Sequence, residues 1–128
     1  MKHLLIQFTL SLVVFFTVDI VWITQVVKPL YAHYIPSLIR PVPYIPAACL
    51  FYTLFLIGLC YFAIWPNYSL SKTILQGSAY GLFTYATYTL TNHAVLRDWH
   101  WALSLSDGLW GMVLGGCVAG MTRLLYTP

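Results

Sequence analysis

Four long stretches of apolar residues, broken by short polar punctuation, organise this chain. They run over residues 4–27, 44–65, 73–96 and 102–126. Each is long enough for a bilayer core of about 30 Å, which needs about 20 apolar residues in a helix. Pro29 is expected to close the first, and Pro43 and Pro46 open the second, which Trp65 and Pro66 close. Residues 69–71 supply a polar turn before the third, and Arg97, Asp98, Trp99 and His100 separate it from the fourth. Short connections make sequential helices antiparallel neighbours, so the pattern predicts an all-α integral membrane bundle of four transmembrane helices in a single domain, residues 1–128. The longest connection, residues 28–43, holds four prolines, and a short interfacial helix over residues 30–39 fits there. Tyr31 and Tyr34, with Trp99 and Trp101, are expected to form one aromatic belt, and Trp65, Tyr68 and Tyr126 the other.

Composition points the same way. The chain is 60% hydrophobic and 7% charged, against about 25% charged residues in an ordinary soluble domain. A lipid bilayer is the natural solvent. The scattered Lys and Arg residues make no basic patch for nucleic acid. The apolar run at the N-terminus outlasts a signal-peptide core and is followed by no small-residue cleavage site, so it reads as a retained first span. Basic residues fall equally on the two sides, and the free amino terminus tips the expected orientation to N-terminus in the cytoplasm. Cys49, Cys60 and Cys117 match no metal or disulfide spacing. No metal and no cofactor is expected.

Two of the three acidic residues, Asp19 and Asp107, lie inside apolar stretches. A carboxylate at a helix centre costs about 2.5–3.5 kcal/mol on insertion scales, so it needs a partner or a purpose. At 1.5 Å per residue, Asp19 lies about 12 Å and Asp107 about 8 Å below the same membrane face. Tyr52, Tyr88 and Asn92 fall in the same layer, so all four helices contribute to it. Both acids share the form Asp-x-x-Trp, with Trp22 and Trp110, which sets carboxyl and indole on one side of each helix. These seven residues are the expected ligand-binding set. His93 and Arg97 are the cations that could reach the acids. On the third helix Tyr80, Thr84, Tyr88, Thr91 and Val95 trace one face. Gly77 with Gly81, Gly111 with Gly115, and Gly116 with Gly120 form small-residue pairs that let backbones approach, as expected for ordinary helix packing in the bundle, with a homodimer through them as the alternative.

These motifs carry a resemblance. Val18-Asp19-x-x-Trp22, Phe51-Tyr52, Gly81-Leu82-Phe83-x-Tyr85-Ala86-Thr87-Tyr88, Leu90-Thr91-Asn92 and Asp107-x-x-Trp110-Gly111 together resemble domain of unknown function 2177, a family of small bacterial integral membrane proteins. The resemblance runs nearly end to end. It implies a one-domain protein of the bacterial inner membrane, and it implies no activity. Thr89 stands where the family's Tyr-Asp-x-Thr-Asn pattern has an acid, so a mechanism needing a third intramembrane carboxylate does not fit this chain.

Three functions compete. The first is binding or transport of a small ligand or proton through the polar layer, with the acids taking a proton or a cation-bearing ligand. The second is a membrane enzyme acting on a lipid or isoprenoid-like substrate by carboxyl acid–base chemistry. Against it, the chain has no nucleophile motif and no phosphate-binding loop. The third is a structural or accessory subunit whose polar layer only ties helices together.

Overall fold

The computed structural model describes residues 1–128 and is helical, without strands. The α-helices are α1 (Lys2–Trp22), α2 (Lys28–Tyr34), α3 (Ile45–Leu59), α4 (Leu70–Val95) and α5 (Trp101–Leu125). Three helical runs are long and apolar enough to cross a membrane: Lys2–Tyr34, Ile45–Ile64 and Trp101–Leu125. The fourth helix, α4, is 26 residues long, about 39 Å. Its serines, threonines and tyrosines leave it less apolar than the other three.

Pro29 does not close the first helix, contrary to expectation, and the residues expected in a short interfacial helix fall in α2 and the turn after it. The helical run continues through Pro29 to Tyr34. The physical reason lies just upstream, where Ile23–Val27 form a π-helical turn. A proline ring clashes with the carbonyl four residues back, here that of Gln25, and removes one N–H donor. Widening the helix by a π turn relieves the clash, and Lys28 N–H bonds instead to the Ile23 carbonyl. The same device recurs at the end of α3, where Cys60–Ile64 form a second π turn two residues before Pro66. After Tyr34 only a single 3₁₀ turn, Pro36–Leu38, interrupts the extended connection to α3.

The tightest pair is α4 on α5, and glycine explains it. A Cβ on Gly81 would run into the Gly111 carbonyl, and one on Gly115 into the Gly77 carbonyl. Gly116 packs against Ser78, and Gly120 against Ile74. All six glycines expected at a homodimer face meet partners inside one chain, which is the ordinary helix packing that their spacing also allows. A hydrophobic drive is absent between helices in lipid, so close backbone approach is what such pairs contribute.

Around this pair α1 lies against α5 and α3 against α1. Phe15, Phe55, Leu56, Leu59, Leu114 and Val118 fill the middle and the half of the bundle toward the N-terminus of α1. At that end His3 on α1 bonds to Tyr126 beyond α5, Ser11 meets Cys60 at 3.4 Å, and Arg123 Nε donates to the Tyr68 carbonyl at 3.0 Å. Asn67 turns the chain into α4 with φ 57°, a left-handed conformation that asparagine tolerates. The backbone of α4 comes close to the π turn at the end of α3 but stands off from α3 itself, which it meets through aromatic rings such as Phe55 with Tyr80 and Tyr85. The two helices diverge toward Ile45, and this divergence opens the bundle.

Candidate functional site

The space left by that divergence is a cavity of about 430 Å³, lined from every helix. Asp19 and Trp22 come from α1, Ile23 and Val27 from the π turn, Tyr31 from α2, Phe51 and Tyr52 from α3, Tyr85 and Tyr88 from α4, and Asp107 and Trp110 from α5. Six of the seven residues expected to bind a ligand thus share one cavity. The exception is Asn92, which lines a neighbouring groove one turn further along α4.

Both acids are buried, 5% exposed for Asp19 and 6% for Asp107. Each is held by a neutral donor from another helix. Trp110 Nε1 donates to Asp19 Oδ1 at 2.9 Å, and the Tyr31 hydroxyl donates to Asp107 Oδ2. Trp110 also stacks on Trp22, with ring centroids 4.4 Å apart and planes 2° from parallel. The two Asp-x-x-Trp motifs therefore interlock across the α1–α5 seam. Each places its indole on the other, and the second indole reaches the first carboxyl. Phe15, Phe16 and Phe51 pack around Tyr52, and Phe55 lies edge-on to Tyr85, so the aromatic walls are braced from behind.

No lysine, arginine or histidine lines this cavity. His93, a candidate cation in the sequence, is turned away: its Nδ1 shares a hydrogen bond of 2.9 Å with Ser104 Oγ. Ser104 also accepts from Trp99 Nε1 at 3.1 Å. Thr89 is buried and faces Asp107, but its hydroxyl makes no hydrogen bond of ordinary geometry. No group of three His, Cys, Asp or Glu side chains gathers anywhere in the structure to hold a metal.

The stripe Tyr80 to Val95 is not the buried face of α4. Tyr80 packs on Phe55 and Phe62, Thr84 and Thr91 bond back to carbonyls of their own helix, and Val95 is exposed. Thr73, Gly77, Gly81 and Thr89 mark the buried face instead. Tyr31 and Trp99, expected in an aromatic belt, meet each other inside the chain. They pack edge to face at 5.7 Å, and Trp99 with Ile35 and Leu103 forms a small second core that clamps the connection onto α5. An amphipathic ring buried with its polar tip bonded is a common use of both residue types.

Ile23, Val27, Tyr31, Phe51 and Tyr85 are the lining residues that the expected set lacks. Tyr31 was hidden by Pro29, which reads as a helix end. For Tyr85 a signal existed: it lies four residues from Gly81, on the face that packs against α5. Replacing Tyr31 by Phe is expected to leave Asp107 without its donor. The loss should be about 1–3 kcal/mol of stability, read as a lower unfolding midpoint in detergent. An unchanged midpoint would mean that Asp107 does not depend on this hydroxyl.

A family model described as Predicted membrane protein (DUF2177) matches residues 4–124. No curated protein and no solved structure matches the chain.

Proposed function

Given that the chain belongs to the DUF2177 family of predicted membrane proteins, we propose that it binds an ammonium-bearing ligand between Asp19 and Asp107. The observation that carries this reading is the makeup of the cavity: two carboxyls, a wall of tryptophan, tyrosine and phenylalanine, and no resident cation. Aromatic faces attract cations by their quadrupoles, worth about 2 kcal/mol or more when the pair is desolvated. Two carboxyls in the same pocket add the charge such a ligand lacks. Trp22, Tyr52, Tyr88 and Trp110 would form the cage, with Asn92 at its outer edge.

The rest of the picture belongs to this proposal. Helix α4 crosses the bilayer with the other three, giving four spans in one domain. The protein lies in the bacterial inner membrane with its N-terminus in the cytoplasm, and the cavity opens toward the opposite face. Solid packing of Phe15, Leu56, Leu59 and Leu114 below the cavity favours binding over a continuous pore.

Trp22 and Trp110 supply a built-in reporter. Purified protein in nanodiscs would be titrated with dodecylamine and with dodecanol, following tryptophan fluorescence. The amine is expected to bind about tenfold more tightly than the alcohol, the equivalent of one cation–π and carboxylate contact. Asp19→Asn with Asp107→Asn should erase the difference. A preference that survives in the double variant would remove the acids from the site.

A further inference from the structure

A second groove, of about 420 Å³, adjoins the cavity, and Tyr31 and Tyr88 line both. Its character is opposite. Arg40 is its single charged lining residue, and no acid faces it. The guanidinium lies over the Tyr44 ring, 5.5 Å from its centre, which leaves its N–H donors free for an anion. The half-buried amide of Asn92 stands in the same groove. The remaining walls are mainly apolar, with Ile35, Leu38 and Leu96 among them. Two compartments of opposite sign therefore share a wall of two tyrosines.

The setting narrows the occupant. The groove lies under the connection between the first two long helical runs, at the end of the bundle where lipid headgroups sit. At the cavity's rim Phe51 is 47% and Tyr88 52% exposed, where α3 and α4 diverge. A molecule entering there comes sideways from the lipid, with its chains left outside.

We propose that the two compartments together hold the headgroup of a zwitterionic aminophospholipid. Its ammonium sits between Asp19 and Asp107, and its phosphate meets Arg40 and Asn92. Arginine suits the second role because its planar fork matches phosphate oxygens two at a time. The acyl chains run out over the apolar groove walls and between α3 and α4. The ammonium half of this assignment rests on the function proposed above; the phosphate half stands on the groove.

The two halves can be tested apart. Protein in nanodiscs would be exposed to phosphatidylethanolamine or phosphatidylglycerol with brominated acyl chains, and to dodecylamine, with tryptophan quenching as the readout. Phosphoethanolamine, the same head without chains, would be tested as a competitor. Wild type should favour the ethanolamine lipid over the glycerol lipid several-fold, and free phosphoethanolamine should compete poorly. Arg40→Gln, an exposed substitution, should weaken the ethanolamine lipid about three- to tenfold and leave dodecylamine unchanged. The double variant at Asp19 and Asp107 should lose both. An ethanolamine lipid bound equally well by Arg40→Gln, or no better than the glycerol lipid, overturns the headgroup assignment. So does a free head that competes as well as the lipid. If instead dodecylamine ignores the double acid variant, the cavity reading itself fails, and this assignment with it.

Discussion

A leucine in place of Gly81 is expected to prevent α4 and α5 from assembling. The obstacle is backbone, not a side chain that could swing aside: any Cβ at this position meets the Gly111 carbonyl, with the carbonyl carbon 2.7 Å away. The reverse contact holds too, since a Cβ on Gly111 would meet the Gly81 oxygen and Tyr85. Relief requires moving one helix off the other, and the Gly77–Gly115 contact one turn away would part as well. Ordinary overpacking costs about 1–3 kcal/mol; a seam forced open along two turns should exceed about 3 kcal/mol and cost the protein its folded yield. The measurement is the monodisperse fraction and unfolding midpoint in mild detergent. Gly108→Ala is the internal control. It lies on the same helix with no heavy atom within 4 Å of its added Cβ, so it should gain about 0.5–1 kcal/mol from helix propensity alone. A Gly81→Leu protein with a normal midpoint would mean that these helices do not touch at this point.

The glycine faces show where sequence runs out. Small residues at four-residue spacing announce a close approach, and both α4 and α5 carry them. Nothing in the spacing says whether the partner face belongs to the same chain or to a second copy. In the structure the two faces meet within one chain, where the short 96–100 connection brings α4 and α5 side by side. The two carboxyls were legible for the opposite reason. Helical rise fixes depth, short loops fix direction, and the two together place Asp19 and Asp107 beneath one face without any knowledge of packing.

Prolines were the harder signal. Pro66 does end a helix, whereas Pro29 does not, and both follow a π turn by two residues. What differs is the residue pattern beyond: α2 continues with Leu30, Tyr31 and Tyr34, which pack against the small core at Ile35, Trp99 and Leu103. Tertiary contact thus outweighs the local cost of the ring. The consequence reaches the site, because only a helix that continues past Pro29 carries the Tyr31 hydroxyl to Asp107. Threonines misled in a related way. Thr84, Thr87 and Thr91 bond to their own helix, so their periodicity says little about which face is inward.

The second large effect is expected at Trp110, where two separable interactions meet on one side chain. Trp110→Ala removes both the stack on Trp22 and the donor to Asp19. Truncating a large aromatic costs about 3–5 kcal/mol in a closed core; a cavity wall should fall near the lower end. Leaving a buried carboxyl without its donor adds about 1–3 kcal/mol. Trp110→Phe keeps an aromatic ring against Trp22 and loses only the N–H, so it isolates the second contribution. Trp22→Phe keeps the stack and leaves the Asp19 bond intact, so it should cost least. Unfolding midpoints should therefore fall in the order Trp110→Ala, Trp110→Phe, Trp22→Phe, with the first lowest. Equal losses for the two phenylalanine variants would mean that the bond to Asp19 contributes nothing and that stacking alone joins α1 to α5. The amine titration would then separate the roles further: a Trp110→Phe protein that folds has an Asp19 freed of its neutral donor, and its grip on dodecylamine should hold or tighten while its stability falls.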